Sequence, residues 1–410
     1  MTRLKPHHRL YATAFLLDCA LIAGFSVVPF FVMRQLGGGA RMVGVVTAMQ
    51  SVCYAIISLA SSSFVARAKN GLTWARMGIM GYAIMFCLAP LSRNAYVYGA
   101  VSTFGSGCMG FVWPALWSWI GGERDPLVRA KRIAHYNIAW SLGLSLGPLI
   151  SGPLYSIDYH LPFAFMFALA FLAWILVMTL PHETAHYGLP DVAGGRADPV
   201  DARGEAHLYY AWFANMIGWI LVAACRSVFA KRVDQLFEAG RLVTFSERFL
   251  TDWSFPHAAV AFAWLVFMTN FSRMILFFLL GQTHRWQYRF SLVILFQAIA
   301  ACAMFALGYT ESLALMMACC FLIGLNNGMG FSAAVCYSLS NAQRKHQRSA
   351  INESMVGAGG FAGSMGFGVL AGWFGVAMPF RWSFVLVVVA MAAEIALFRY
   401  GRRRTAASGV

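Results

Sequence analysis

Long apolar runs recur along this chain, and each is close to the length that a helix needs to cross a bilayer. A transmembrane helix takes about 20 apolar residues, rising 1.5 Å per residue. Because lipid gives the backbone no hydrogen-bond partners, such segments are restricted to helices and closed barrels. We therefore predict twelve helical spans, at residues 10–34, 42–66, 75–92, 95–121, 134–157, 161–181, 208–230, 256–281, 290–308, 312–338, 350–375 and 380–398.

The composition agrees with a lipid environment. Hydrophobic residues make up 60% of the chain and charged residues only 11%, and the mean hydropathy is +0.63. So few charges cannot cover the surface of a soluble globule. The nine cysteines all lie in apolar runs without paired metal spacing, so we predict no metal and no cofactor. The sequence therefore predicts an all-α, multi-pass integral membrane protein.

The second half of the chain repeats features of the first. In each half, a basic loop leads into an apolar segment with closely spaced glycines. A shift of 216 residues places Arg132 on Arg348, Gly143 on Gly359, Gly147 on Gly363 and Gly152 on Gly368. A repeat in this order indicates two related units. We predict two pseudo-symmetric six-helix bundles, residues 1–181 and 208–410, joined by a polar cytoplasmic linker at 182–207.

Basic residues are distributed unevenly between alternate loops. If both termini are cytoplasmic, the inside loops hold 21 lysines and arginines and the outside loops hold 8. This bias predicts an N-in, C-in orientation, in the cytoplasmic (inner) membrane of a bacterium. Clusters that face the lipid headgroups account for the net charge of +15, so we predict membrane lipids and not nucleic acid as the partner.

The two six-span halves, the basic loop after the second span of each, the polar linker and a glycine-proline fifth span together resemble the major facilitator superfamily of secondary transporters. The most specific element comprises Gly143, Gly147, Pro148 and Gly152, and is similar to an antiporter signature of that family, with Ser151 in place of one glycine. Glycines let helices approach closely, and a proline bends its helix. The alternative interpretation is tight packing without a moving part.

Other positions depart from the family pattern. Ala68 stands near the place of the acidic residue that the loop after span 2 usually carries. Span 4 lacks the arginine that drug:proton antiporters usually carry near its start. In contrast, Asp18 and Pro29 in span 1 are similar to an acid and a proline in several proton-coupled members.

An ionisable side chain inside a predicted span costs several kcal/mol unless it is paired or hydrated, and three such residues are candidates for function. Asp18 lies roughly 12 Å deep at 1.5 Å per residue, near the depth of transporter sites; it is a coupling candidate or a structural carboxylate. Arg273 could pair with Asp18, receive an anionic substrate or snorkel to the surface. Arg226 is an interface anchor, an outer gate or a binding residue.

The resemblance implies that spans 1, 4, 7 and 10 line a central cavity. Their polar and aromatic members are Asp18, Trp113, Trp117, Asn215, Asn326 and Asn327. Such side chains suit an amphipathic organic solute, although asparagines also join helices and tryptophans also form interface belts. As gating or packing positions we expect Arg132, Tyr136, Asn137, Gly143, Gly147, Pro148, Gly152, Arg226, Arg348, Glu353, Gly359 and Gly363. An ion pair between Glu353 and Arg348 would form an inside gate, or simply balance local charge.

We therefore predict a monomeric secondary transporter that moves a small solute by alternating access and has no enzymatic activity. Proton coupling through Asp18 is a hypothesis. One alternative is a non-transporting membrane scaffold or receptor of the same fold. Another is a zinc peptidase, since residues 182–186 spell HExxH, although Pro181 and Gly188 leave little room for a helix. We also expect the outside loop at 231–255 to form a short interfacial helix.

Overall fold

The computed structural model describes residues 5–67, 71–121, 126–181, 202–243, 257–283, 285–338 and 345–407. Within these ranges the chain forms twelve helices, one of them in two segments. They are α1 (Pro6–Phe30), α2 (Ala40–Arg67), α3 (Leu72–Leu88), α4 (Ala95–Met109 and Val112–Gly121), α5 (Pro126–Ile157), α6 (Leu161–Met178), α7 (Ala202–Glu238), α8 (Ala258–Gly281), α9 (Phe290–Leu307), α10 (Leu313–Ser338), α11 (Lys345–Phe374) and α12 (Met378–Ala407). The predicted all-helical architecture is confirmed.

Ten of the described helices are long and apolar enough to cross a membrane. The two others are α4 and α5. The first is divided into short segments, and the second is rich in glycine, serine and proline, which lowers its hydropathy. Both pack among spanning helices, as members of one multi-pass bundle.

The fourth span is not the continuous helix that we predicted. Its two segments are separated at Gly110 and Phe111. Pro114 lies in the first turn of the second segment and cannot donate the hydrogen bond that would continue the helix. Gly110 also lies against the backbone of Ser58 on α2, where a Cβ would approach the Ser58 nitrogen to 2.9 Å. The break therefore lets α4 bend over α2.

The seventh helix is longer at both ends than the predicted span 208–230. Residues 202–207 of the predicted linker form its first turns, and Lys231 to Glu238 form its last turns. The predicted interfacial helix at 231–255 is therefore wrong for its first eight residues, which continue α7. Their charges are accommodated by ion pairs, among them one between Lys231 and Asp234. Residues 244–256 and 182–201 lie outside the described ranges.

The two bundles share most of their internal helix pairings, although the extensive contact between α7 and α10 has no equal in the described residues of the first half. In the first half α1 packs against α5 and α6, α2 against α4, and α3 against α4 and α6. In the second half α7 packs against α11 and α12, α8 against α10, and α9 against α10 and α12. The two halves meet mainly along α2 with α11 and along α5 with α8. The repeat in the sequence thus corresponds to a repeat in the packing.

The repeated glycines lie where helices approach most closely. Gly143 and Gly147 face the backbone of α1, and their counterparts Gly359 and Gly363 face the backbone of α7. The third pair joins the two halves. A Cβ on Gly152 would lie 2.8 Å from Cβ of Ala263 on α8, and one on Gly368 would lie 2.9 Å from Cα of Gly44 on α2. Only small residues permit this separation between helices.

Candidate functional site

A cavity of about 150 Å³ lies at the seam between the two halves. It is lined by α1, α2, α4 and α5 of the first half and by α7, α10 and α11 of the second. At about 30 Å³ per molecule, it has room for roughly five waters. Since both halves contribute to its wall, any relative movement of the halves changes its shape and its access.

Two carboxylates line the cavity from opposite halves. Asp18 on α1 is 6% exposed, and no described residue donates a hydrogen bond to its side chain. It does interact electrostatically with Arg273 and with Glu353. Glu353 on α11 accepts a hydrogen bond of 2.8 Å from the hydroxyl of Tyr54 on α2. The Tyr54–Glu353 bond therefore joins the two halves at the cavity.

A guanidinium lies between aromatic rings in the wall of the cavity. The guanidinium carbon of Arg226 is 5.3 Å from the ring centroid of Phe25 on α1 and 5.2 Å from that of Trp219 on α7. Phe25, Trp219 and Arg226 all line the cavity. Cation–π contacts of this kind compensate for only part of the free energy that a cation loses when it is removed from water.

Arg273 on α8 is a neighbour of this site and is held by amides. Its guanidinium donates to Oδ1 of Asn327 at 2.9 Å and to Oδ1 of Asn270 at 2.7 Å. It also lies over the rings of Trp140 and Trp219, at 5.2 and 5.5 Å from their centroids. Arg273 is 2% exposed, so it acts as a fixed charge behind the aromatic wall.

Several polar atoms at the cavity have no hydrogen-bond partner among the described residues. They are Oε1 and Nε2 of Gln50, Oγ of Ser106, the hydroxyl of Tyr136 and Nε1 of Trp219. Buried polar groups are nearly always hydrogen-bonded in native proteins, to protein or to water. Their grouping around one cavity is the pattern expected of a site that receives polar solutes or water.

The end of the bundle opposite the chain termini is closed by contacts between the halves. Arg34, in a π-helical turn that ends α1, donates to the carboxylate of Asp234 on α7 at 2.6 Å and to that of Glu238 at 3.2 Å. Asp234 also pairs with Lys231 at 3.3 Å. Beneath these pairs the ring of Phe30 packs on the rings of Phe262 and His257. At this end, charged and aromatic contacts therefore join the two halves.

The structure brings some predicted site residues together at the cavity and places others elsewhere. Asp18, Trp113 and Trp117 line it, as do Tyr136, Arg226 and Glu353, which we expected to be gating residues. Asn215, Asn326 and Asn327 are buried between helices and do not line it. The amide of Asn215 donates to Asn352 on α11 at 2.9 Å.

The remaining gating candidates lie along α5 and α11. Arg132 is in the first turns of α5, and Oδ1 of Asn137 accepts a hydrogen bond from Nε1 of Trp140 at 2.9 Å. Arg348 forms an ion pair with Glu205 of its own half, while Glu353 binds Tyr54 of the other half. The proposed pairing of Arg348 with Glu353 stays a prediction. Pro148 lies inside α5, one residue after Gly147.

Sequence reasoning did not select several cavity residues. Gln50, Ser51 and Tyr54 on α2 and Ser106 on α4 line the cavity. The family resemblance assigns the lining to spans 1, 4, 7 and 10 and so leaves out α2, whereas Ser106 lies in span 4 but is a small hydroxyl residue like many packing residues. The available signal was Gln50 itself, a lone amide within a strongly apolar span, because polar side chains inside lipid-spanning helices mark functional or packing sites.

The HExxH motif at 182–186 lies outside the described residues. Within the described ranges no group of three or more histidine, cysteine or acidic side chains is arranged to hold a metal ion. The zinc-peptidase alternative therefore depends on the motif alone.

Two pseudo-symmetric helical bundles around a central cavity that both line are typical of membrane transporters with paired six-helix halves. Residues 10–364 match the Major Facilitator Superfamily, and the chain belongs to that family. Membership of this family shows that the chain is a multi-pass integral membrane protein of the transporter type. No protein with a curated description matches the chain in sequence.

Solved structures of several transporters share this fold. The nucleoside transporter NupG superimposes with a TM-score of 0.71 at 13% identity, over 97% of this chain and 100% of that chain. A bacterial homolog to the human lysosomal transporter Spinster, in an inward-facing and occupied conformation, gives 0.70 at 16% identity, over 98% of each chain. A POT family transporter in complex with 5-aminolevulinic acid gives 0.72 at 11% identity, over 96% of each. At these identities the similarity establishes the fold alone.

Proposed function

We propose that this protein is a secondary transporter that moves a small organic solute through the central cavity by alternating access. The observation that carries the proposal is the cavity at the seam, which is lined by residues of both halves. A seam of this kind can open on either side if the halves rotate about the cavity. A non-transporting scaffold would not require polar atoms without partners around a central space.

The contacts between the halves support two conformations. At the end opposite the termini, Arg34 and Asp234 join the halves in the described conformation, and Gly152 and Gly368 allow close approach of the helices beneath them. Breaking these contacts would open the seam at the end opposite the termini.

Spin labels at the two ends test whether the halves move. One pair, Arg93→Cys with Tyr309→Cys, reports on the end opposite the termini, and a second pair, Lys131→Cys with Gln282→Cys, reports on the terminal end. Double electron–electron resonance of the purified protein in lipid should give two distance populations for each pair. Their weights should change in opposite senses at the two ends. One fixed distance at each end, under every condition tested, would reject transport by alternating access.

We further infer that protons drive the transport through Asp18. Asp18 lies at the cavity, and no carboxylate-to-cation bond neutralises it directly among the described side chains. Asp18→Asn should retain exchange of solute across vesicle membranes and lose accumulation driven by an imposed pH gradient. Asp158→Asn, which changes an exposed carboxylate in the loop after α5, should behave as the wild type. Accumulation by Asp18→Asn with an unchanged pH dependence would exclude this coupling site.

A further inference from the structure

Arg226 lacks a hydrogen-bond acceptor among the described residues, although its guanidinium is at the cavity. Its recorded neighbours are the ring faces of Phe25 and Trp219. Arg226 is half-buried, and a guanidinium without a counter-charge inside a membrane span is costly. Arg273, in contrast, donates to two amide oxygens. Arg226 is therefore positioned to receive a charge that the protein itself does not provide.

A second donor at the same place is also unoccupied. Nε1 of Trp219 is buried and finds no acceptor in the described parts of the chain. The guanidinium of Arg226 lies 5.2 Å from the centroid of this ring, so the two donors are neighbours. An indole N–H and a guanidinium can only donate. Their natural ligand is a group with two or more acceptor oxygens, and a carboxylate matches the guanidinium fork in a bidentate manner.

The part of the wall formed by α2 and α4 has mixed hydrogen-bonding capacity. Gln50 on α2 is fully buried, and both of its side-chain polar atoms lack partners in the described residues, as does Oγ of Ser106 on α4. Both residues line the same cavity as Arg226. An amide and a hydroxyl can each donate and accept. They suit a neutral polar substituent such as a hydroxyl or an amide.

The immediate surroundings of Arg226 favour an anion over a cation. Two carboxylates also line the cavity, but Glu353 accepts a hydrogen bond from Tyr54 and Asp18 is attracted by Arg273. The recorded neighbours of Arg226, in contrast, are uncharged rings. A negative charge on the solute would supply the counter-charge that this guanidinium lacks.

We propose that the transported solute is a small organic monoanion: a carboxylate bound by Arg226 and Trp219, a flat body against the ring of Phe25, and a polar substituent facing Gln50 and Ser106. The cavity of about 150 Å³ has room for a solute about the size of a single substituted ring. This inference rests on the proposed function, because it names the class of solute that the same cavity would carry.

Three probes of nearly equal shape separate the charge classes. They are para-hydroxybenzoate, an anion; para-hydroxybenzamide, which is neutral; and para-hydroxybenzylamine, a cation. Isothermal titration calorimetry on the full chain in detergent should show that the carboxylate binds roughly 10- to 100-fold more tightly than the amide, as expected for hydrogen bonds to charged groups. The amine should bind more weakly than either.

Variants locate the anion site. Arg226→Gln should reduce carboxylate binding to about that of the amide, and Arg226→Lys should keep the preference for the anion at lower affinity, since it retains the charge without the fork. Arg402→Gln is a matched control, because Arg402 also lies over an aromatic ring in the second half, 5.8 Å from the centroid of Phe398, but is exposed. It should leave the preference unchanged. Size-exclusion profiles would verify that each variant is folded.

The proposal is overturned if the amide or the amine binds as tightly as the carboxylate, if the carboxylate shows no binding, or if Arg226→Gln retains the carboxylate preference. Should Arg226→Gln not fold, the three wild-type probes and Arg226→Lys decide the question. The spin-label distances test the transporter itself. If the spin labels show two distances but the amine binds most tightly, the proposal of an anionic solute is rejected and the proposal of a transporter is retained. If the carboxylate binds most tightly but each spin-label distance is fixed, the proposal of transport is rejected and the anion-binding site is retained.

Discussion

Replacing Arg34 with alanine should shift the protein toward a conformation that is open at the end opposite the termini. In the described conformation its guanidinium lies 2.6 Å from the carboxylate of Asp234 and joins the two halves. If the halves separate at this end during transport, this pair is present in one conformation and broken in the other. Its removal therefore changes the balance between the two.

The size of the shift follows from the burial of the partners. Exposed ion pairs contribute about 0.2–1 kcal/mol, and loss of one partner from a fully buried pair costs about 3–5 kcal/mol. The Arg34 side chain is 30% exposed and that of Asp234 is 2% exposed, and Lys231 remains 3.3 Å from Asp234 after the change. We therefore expect about 1.5 kcal/mol, or roughly a tenfold change in the ratio of the two conformations.

The distance populations of Arg93→Cys with Tyr309→Cys measure that ratio directly. The longer distance should gain weight in Arg34→Ala, and the terminal-end pair should show the opposite change. Arg241→Ala is the control: it breaks an ion pair with Glu311 that lies within the second half, so both distributions should stay as in the wild type. Equal distributions in Arg34→Ala and the wild type would refute the conclusion that this pair holds the two halves together at the end opposite the termini.

Two other predictions concern packing. Gly368→Ala should favour opening of the same end, because the added Cβ would lie 2.9 Å from Cα of Gly44 across the seam. Overpacking of this kind costs about 1–3 kcal/mol. Gly366→Ala is the control: its Cβ would have no atom within 4 Å, so the spin-label distances should stay unchanged. Gln297→Leu should lower the melting temperature in detergent, since it removes the 2.6 Å hydrogen bond to the fully buried Glu394 at a cost of about 1–3 kcal/mol. The double variant Gln297→Leu/Glu394→Leu should recover most of that stability, and a double variant less stable than the single would contradict this explanation.

Much of the fold follows from patterns that act over short distances. The length of the apolar runs specified the spans, and the repeated order of Gly143, Gly147 and Gly152 with their counterparts indicated two related halves. Both signals are local: lipid demands a helix wherever the run is long enough, and a glycine marks a close approach wherever helices pack tightly. The glycines alone do not show which helix each of them contacts. That Gly147 faces α1 while Gly152 faces the other half depends on the tertiary arrangement.

The cavity was less predictable, because its wall depends on which face of each helix points inward. Arg226 was identified as an ionisable residue in a span, but its position between Phe25 and Trp219 depends on α1 and α7 meeting. The observed ends of α7 also differ from those predicted. The sequence predicts a loop at Lys231 and Asp234 because charged residues rarely span lipid, yet both residues extend α7 as an ion-paired segment. A prediction made one span at a time assumes that each charged residue is unpaired and costly to bury. An ion pair reduces that cost, and a single span does not show whether the pair forms.

The most direct test of alternating access is the reactivity of a single cysteine in the cavity from each side of the membrane. Ser106→Cys, in a chain whose nine native cysteines are replaced, would be treated with a membrane-impermeant thiol reagent from either face of sealed vesicles. We expect labelling from both faces, with labelling from the face opposite the termini increased by Arg34→Ala. Labelling from one face only, in both proteins, would contradict the conclusion that the halves open the central cavity alternately to the two sides.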